Sequence, residues 1–191
     1  MEPQSDTLPR CPWGVRDPLL RAYHDHEWGV PLRGDTALFE LLSLEGAQAG
    51  LSWRTVLARR DAYRRAFHGF LPARVAAMTD AEIAALRDDA GLIRNGQKLA
   101  SVRDNARAAL VVAEEFGSLD AFLWSFVEGR PVVNDWTAPD QVPARTPLSD
   151  RMSRELRGRG FRFVGSTICY AFMEASGMVN DHLTSCFRRS G

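Results

Sequence analysis

Cys11 and His24 stand near the start of this 191-residue chain, and His182 and Cys186 stand near its end. The second pair is spaced i, i+4, which puts both side chains on one face of a last helix expected over 180–187. Two thiolates and two imidazoles make a closed tetrahedral shell for zinc, with no open position for a reacting water. A chain that uses the four together must bring its first and last segments side by side. Two alternatives stay open at this point. The cysteines can be small buried apolar residues, and His26 competes with His24 as a ligand, although two residues on it points elsewhere. Cys169, between Ile168 and Tyr170, reads as core filler. Three cysteines, an odd number, argue against a disulfide framework and for a reducing compartment.

The rest of the pattern is helical. Asp17-Pro18 opens a short helix through Tyr23 and His24. Asp35 is placed to cap a second helix running to Gly50, and Ser52 a third that carries Val56, Leu57, Tyr63 and Phe67 inward. Thr79 to Glu82 is a capping box. Periodicity breaks over 88–97 and resumes from Lys98 to Phe116; Ser118 caps the next helix. Residues 128–147, with four prolines, form the one long irregular stretch. An Arg-rich helix, a short extended run at Phe161–Val164, a Ser166-capped helix and the last helix complete an all-α chain. Residues 1–9 read as a disordered extension, and 10–191 as one domain, with two lobes flanking a pocket as a variant of it. Met1 to Arg10 is polar with no secretory pattern, and no stretch approaches the roughly 20 apolar residues of a membrane span.

Within the second helix, Glu45 follows Leu38, Leu41, Leu42 and Leu44 at helical spacing. A carboxylate there is costly unless it is paired or faces a ligand. Gly46 and Gly50 leave one face bare, so another backbone or a flat ring can approach closely, and Trp53 supplies an aromatic plane. A carboxylate beside such a plane suits an electron-poor or cationic ring. The alternative is a buried Glu satisfied by backbone amides beside a core Trp.

Net charge is zero, with 24 basic and 24 acidic residues, so global charge does not advertise a polyanionic partner. Local charge does: Arg151, Arg154, Arg157, Arg159 and Arg162 cluster against only Asp150 and Glu155. A solvated helix face explains that cluster equally well. The turn around Gly91 and Gly96, followed by Arg94 and Lys98, forms a hairpin whose amides and cations can clamp a phosphate, unless it is an ordinary helix–helix turn. Lys98 is the only lysine, and no aspartate stands in an obvious partner position after it; it reads as a phosphate contact rather than a Schiff-base nucleophile.

Taken in order, Cys11, Tyr23-His24-Asp25, Glu27-Trp28-Gly29-Val30-Pro31, Leu44-Glu45-Gly46, Gln48 to Trp53, Phe163-Val164-Gly165 and Asn180-Asp181-His182 resemble the 3-methyladenine DNA glycosylase I family, from about Arg10 to Phe187. The resemblance implies an all-α helix-hairpin-helix glycosylase fold and hydrolytic removal of 3-methyladenine from alkylated double-stranded DNA without a lyase step. It implies a structural zinc on Cys11, His24, His182 and Cys186. It assigns base contact to Glu45, Tyr23 and Trp53, pocket lining to Trp13 and Trp28, and no catalytic aspartate after the hairpin. Some members carry an aromatic at Leu20, so part of the stacking wall is expected to differ here. On this reading Glu45 opposes the charge of the base, and Gln48 or Leu51 fills the gap that the base leaves. The expected protein is a monomer acting on the bacterial nucleoid in the cytoplasm, with free 3-methyladenine as product. Two other classes share some of these features: a damage-binding protein without turnover, and a zinc-stapled helical interaction module.

Overall fold

The computed structural model describes residues 8–189; the expected disorder of the N-terminal extension lies, over residues 1–7, outside them. Pro9 is tied down, its carbonyl accepting from Phe187 N–H at 2.9 Å. After a 3₁₀ turn at Pro12–Gly14, the chain forms α1 (Pro18–His26), α2 (Asp35–Gln48), α3 (Trp53–Leu57), α4 (Arg60–Ala66), α5 (Pro72–Ala76), α6 (Asp80–Ala85), α7 (Gly96–Phe116) and α8 (Leu119–Ser125). Then come β1 (Val132–Val133), α9 (Pro147–Gly158), α10 (Ser166–Ala175) and β2 (Val179–Asn180). The two strands pair in parallel, Val132 with Val179 and Val133 with Asn180, and they are the only strands among the described residues.

The caps explain most boundaries. Asp17 accepts from Leu19 and Leu20 N–H, Ser52 from Thr55, Thr79 from Glu82 and Ser118 from Ala121. Each satisfies an amide that the first helical turn leaves without a partner. Two expected caps fall one residue early. Gly34 (φ +91°) caps α2, while Asp35 accepts from Asp120 N–H at 2.9 Å and so joins the starts of α2 and α8. Gly165 caps α10, and the Ser166 hydroxyl meets that of Ser149 in α9 at 2.9 Å. The single helix expected after Ser52 is two, α3 and α4, broken at Arg59.

The core is helix on helix. Leu38, Phe39, Leu42 and Leu44 of α2 meet Leu99, Val102, Ala106 and Val112 of α7 in one buried cluster with Phe172 and Met173 of α10. A fully buried Leu or Phe contributes about 1.5–3 kcal/mol, so α2, apolar on most sides, is held in the middle of the bundle. It packs against α7 and α10 and carries Glu45 with it.

Two further expectations are corrected. Phe161–Val164 is a hairpin between α9 and α10, not an extended run: Phe163 adopts φ +55°, and Phe161 and Val164 are the buried pair. Asn105 grips its backbone at Arg162 through both N–H (2.7 Å) and C=O (3.0 Å). The segment after Asn180 is a series of turns, not a helix. Three of its amides are committed elsewhere: Leu183 N–H to Cys11 Sγ, Thr184 N–H to Trp136 C=O and Phe187 N–H to Pro9 C=O. The proline-rich stretch before α9 is anchored by Asp181, which accepts from Asn134 and Trp136 at 2.7 and 2.8 Å.

Candidate base pocket and metal centre

The four Cys and His residues do converge. The ligand atoms of Cys11, His24, His182 and Cys186 all lie within 4.8 Å of one another, and all four residues are buried. His24 Nδ1 meets Asp25 Oδ1 at 2.8 Å, leaving Nε2 facing Cys186 Sγ at 3.4 Å. His182 Nε2 meets the Trp28 carbonyl at 3.1 Å, leaving Nδ1 facing Cys186 Sγ at 3.5 Å and Cys11 Sγ at 3.7 Å. Each ring is thus oriented by an acceptor on its far nitrogen, which exposes the other lone pair to the cluster. Such a donor set is compatible with a bound metal ion. His26 is exposed and outside the cluster. Gly14 allows the 3₁₀ turn to lie against the His24 ring, since a Cβ there would sit 2.7 Å from it.

Beside this centre lies a cavity of about 210 Å³. Its aromatic walls are Trp13, Tyr23, Trp28 and Trp53; Glu45 and Gln48 enter from α2, Ala171 and Glu174 from α10. Tyr23 and Trp53 rings lie 5.4 Å apart, Trp13 and Trp28 5.0 Å apart. Leu20 is not among the lining residues, so it adds nothing to this wall. Glu45 is 2% exposed and makes no ion pair; burial pushes its carboxyl up to about 8. Its Oε2, the Tyr23 hydroxyl and the Trp53 indole N–H are all buried without a hydrogen-bond partner. Three orphaned polar atoms on one apolar pocket mark a place built for a polar, planar guest.

The glycines divide their work. Gly46 lets the Phe163 backbone and Cβ approach to where a Cβ would meet them at 3.3 Å, so a backbone fills that face. Gly50 lies past the helix end with φ +76°, in the turn that presents Leu51, 43% exposed.

The phosphate clamp expected at Gly91 is not built. Gly91 N–H is taken by Asp89 at 2.7 Å, and Asn95 caps the first amides of α7. Arg94 is exposed, but Lys98 turns inward: it is 8% exposed and donates to the Ala47 and Ala49 carbonyls at 2.9 and 2.6 Å. A lysine so engaged is not a free cation for DNA. The α9–α10 hairpin presents α10 amides with no side-chain cap, next to the exposed Arg157; Arg154 is also exposed on α9. Of the other clustered arginines, Arg159 is paired with Glu115 and Arg162 with Asp104.

Sequence reasoning missed Glu174. The signal was there, because Glu174 interrupts the apolar run from Ile168 to Ala175 just as Glu45 interrupts that of α2.

The chain belongs to the methyladenine glycosylase family, whose model matches residues 13–189. It is 48% identical to DNA-3-methyladenine glycosylase 1 of Escherichia coli over 94% of this chain and 96% of that one. A crystal structure of 3-methyladenine DNA glycosylase I matches with a TM-score of 0.90 at 49% identity, covering 94% of this chain and 98% of that one. The Staphylococcus aureus enzyme, solved for its recognition of 3-methyladenine, matches with a TM-score of 0.92 at 36% identity over 94% and 96% of the two chains.

Proposed function

We propose that this protein is a monofunctional DNA glycosylase that flips 3-methyladenine out of alkylated duplex DNA and hydrolyses the bond joining it to the sugar. The observation that carries this reading is the trio of unpartnered polar atoms on Glu45, Tyr23 and Trp53 around one aromatic pocket. Alkylation at a ring nitrogen makes adenine cationic, so the glycosidic bond is already weak. The flipped base lies against Tyr23 and Trp53, while Glu45 accepts hydrogen bonds from its amine edge and opposes its charge. Unstacking costs a few kcal/mol and is least costly for a damaged base. The carbon–nitrogen bond breaks with its electron pair leaving on the base. The enclosed, anionic surroundings stabilise the oxocarbenium-like sugar until water adds its oxygen and loses a proton.

Leu51, exposed beside the pocket, fills the gap left in the stack, with Gln48 at the pocket edge. The DNA backbone lies on the α9–α10 hairpin, where uncapped amides stand beside Arg157 and α9 also exposes Arg154. This is the helix-hairpin-helix element, in place of the Gly91 turn; the exposed Arg94 is at most an outlying contact. Trp13 and Trp28 close the side nearest the metal centre.

Cys11, His24, His182 and Cys186 would hold zinc. Their S···N separations of 3.4–3.7 Å match the edge of a tetrahedron with ordinary zinc bond lengths, about 3.6 Å. When bound, the ion supplies a cross-link between the chain ends and no reacting water. The protein acts as a monomer, one domain over 10–191, on chromosomal DNA in the bacterial cytoplasm. No helix of the described residues is long and apolar enough to cross a membrane. The test is base release from methylated duplex. Free 3-methyladenine should appear without strand cleavage; binding with no release would make the protein a damage binder, and no preference for methylated duplex an interaction module.

A further inference from the structure

The acids on the two sides of the Tyr23–Trp53 wall are treated differently. Behind it lies a second cavity, where Glu27 pairs with Arg60 and Glu40 with Arg64. In front, no lysine, arginine or histidine lines the base pocket, yet two carboxyl groups do, Glu45 and Glu174. In a chain with as many basic as acidic residues, leaving two neighbouring acids without a cation is a specific arrangement.

Glu174 is held in place by its backbone. Its carbonyl accepts from Gly29 at 3.1 Å and from Gly177 at 3.2 Å, and α10 packs on α2, so the two acids reach the pocket from adjoining helices. Glu45 is buried with Oε2 unpartnered. Negative charge in such a pocket has two ways to be balanced, by protons or by a cationic guest. We propose that Glu174 is a second base-reading carboxylate, which with Glu45 flanks the flipped purine and makes the pocket select bases that carry positive charge. This rests on the glycosylase reading and extends it from one acid to two. Burial, then Asp181 and Glu45, hold the Glu174 carboxyl well above the usual carboxylate range in the empty pocket, as expected of acids lacking a cation.

A cationic adduct gains from both acids, whereas a neutral purine of the same shape does not. Once the glycosidic bond breaks, the base leaves neutral and that advantage ends, which favours product release.

The test uses two small purines on the full-length protein: 3,9-dimethyladeninium, a permanent cation with a methyl group where the sugar was attached, and 3-methyladenine at a pH where it is neutral. Binding is followed through the pocket tryptophans. Glu174→Gln should weaken the cation by about five-fold or more and the neutral base by less than about two-fold, because the attraction between opposite charges is lost only in the first case. Glu174→Ala, which leaves space rather than a new group, should show the same split and serves if the glutamine variant does not fold. Equal losses for the two ligands, or none, in a variant with parental melting would overturn the proposal. Failure of the parent to bind either purine would instead overturn the glycosylase reading.

Discussion

The ammonium of Lys98 lies 2.6 Å from the carbonyl oxygen of Ala49. With its second bond, to Ala47, it ties the end of α2 to the start of α7 and fixes the turn between Gln48 and Leu51. Lys98→Met keeps the length but strands two carbonyls. It should cost about 1–3 kcal/mol of stability in urea unfolding, slow single-turnover excision and leave the salt dependence of DNA binding unchanged. A reduced salt slope would return Lys98 to the role of a phosphate contact.

The same measurement on the α9–α10 hairpin should give the opposite pattern. Replacing Arg154 and Arg157 with alanine should lower the slope of log affinity against log salt by up to about 2, since each phosphate contact releases roughly one counterion. Excision at saturating enzyme should hold.

Glu45→Gln keeps the shape of the side chain, removes its charge and turns one acceptor into a donor. Free 3-methyladenine should bind several-fold more weakly and excision should slow without vanishing, because the cationic base leaves readily once flipped. Binding to unmodified duplex should not change. A well-folded variant with parental affinity and rate makes Glu45 structural.

Glu45 also predicts how stability depends on pH. Its carboxyl titrates near 8 when folded and near the ordinary 4.5 when unfolded. Between those values the folded state holds the extra proton, so stability falls as pH rises through that window and levels off above it. Glu45→Gln lacks this term. Its melting temperature should match the parent near the acid end and exceed it at the alkaline end, by an amount on the order of a few kcal/mol in free energy.

Purified protein should carry about one zinc per chain, and strong chelation should lower its melting temperature, because binding to a closed shell couples to folding. Cys186→Ala should lose both metal and stability. Metal analysis near zero with melting unchanged by chelator would exclude the site.

What was legible in the sequence was local or strongly patterned. Caps at Asp17, Ser52, Thr79 and Ser118 announced their helices because each is a contact within four residues. The cysteine–histidine cluster was legible because those side-chain types are few. The Gly91 turn and Lys98 misled because a cation near two glycines reads alike whether it faces solvent or a neighbouring helix end. Only the packing of α2 against α7 distinguishes the two. The last helix failed for the same reason: three of its amides go to Pro9, Cys11 and Trp136, partners that no local window contains.

Trp13 sits in the pocket wall two residues after Cys11, and Trp28 packs on the ring of His182 at 4.5 Å. The pocket built largely from the first third of the chain therefore waits for the final residues to arrive. During synthesis, the helices can gather in order as they leave the ribosome. That wall is secured only after His182 and Cys186 emerge, so a chain cut short by about a dozen residues would keep most of its bundle and lack a finished pocket.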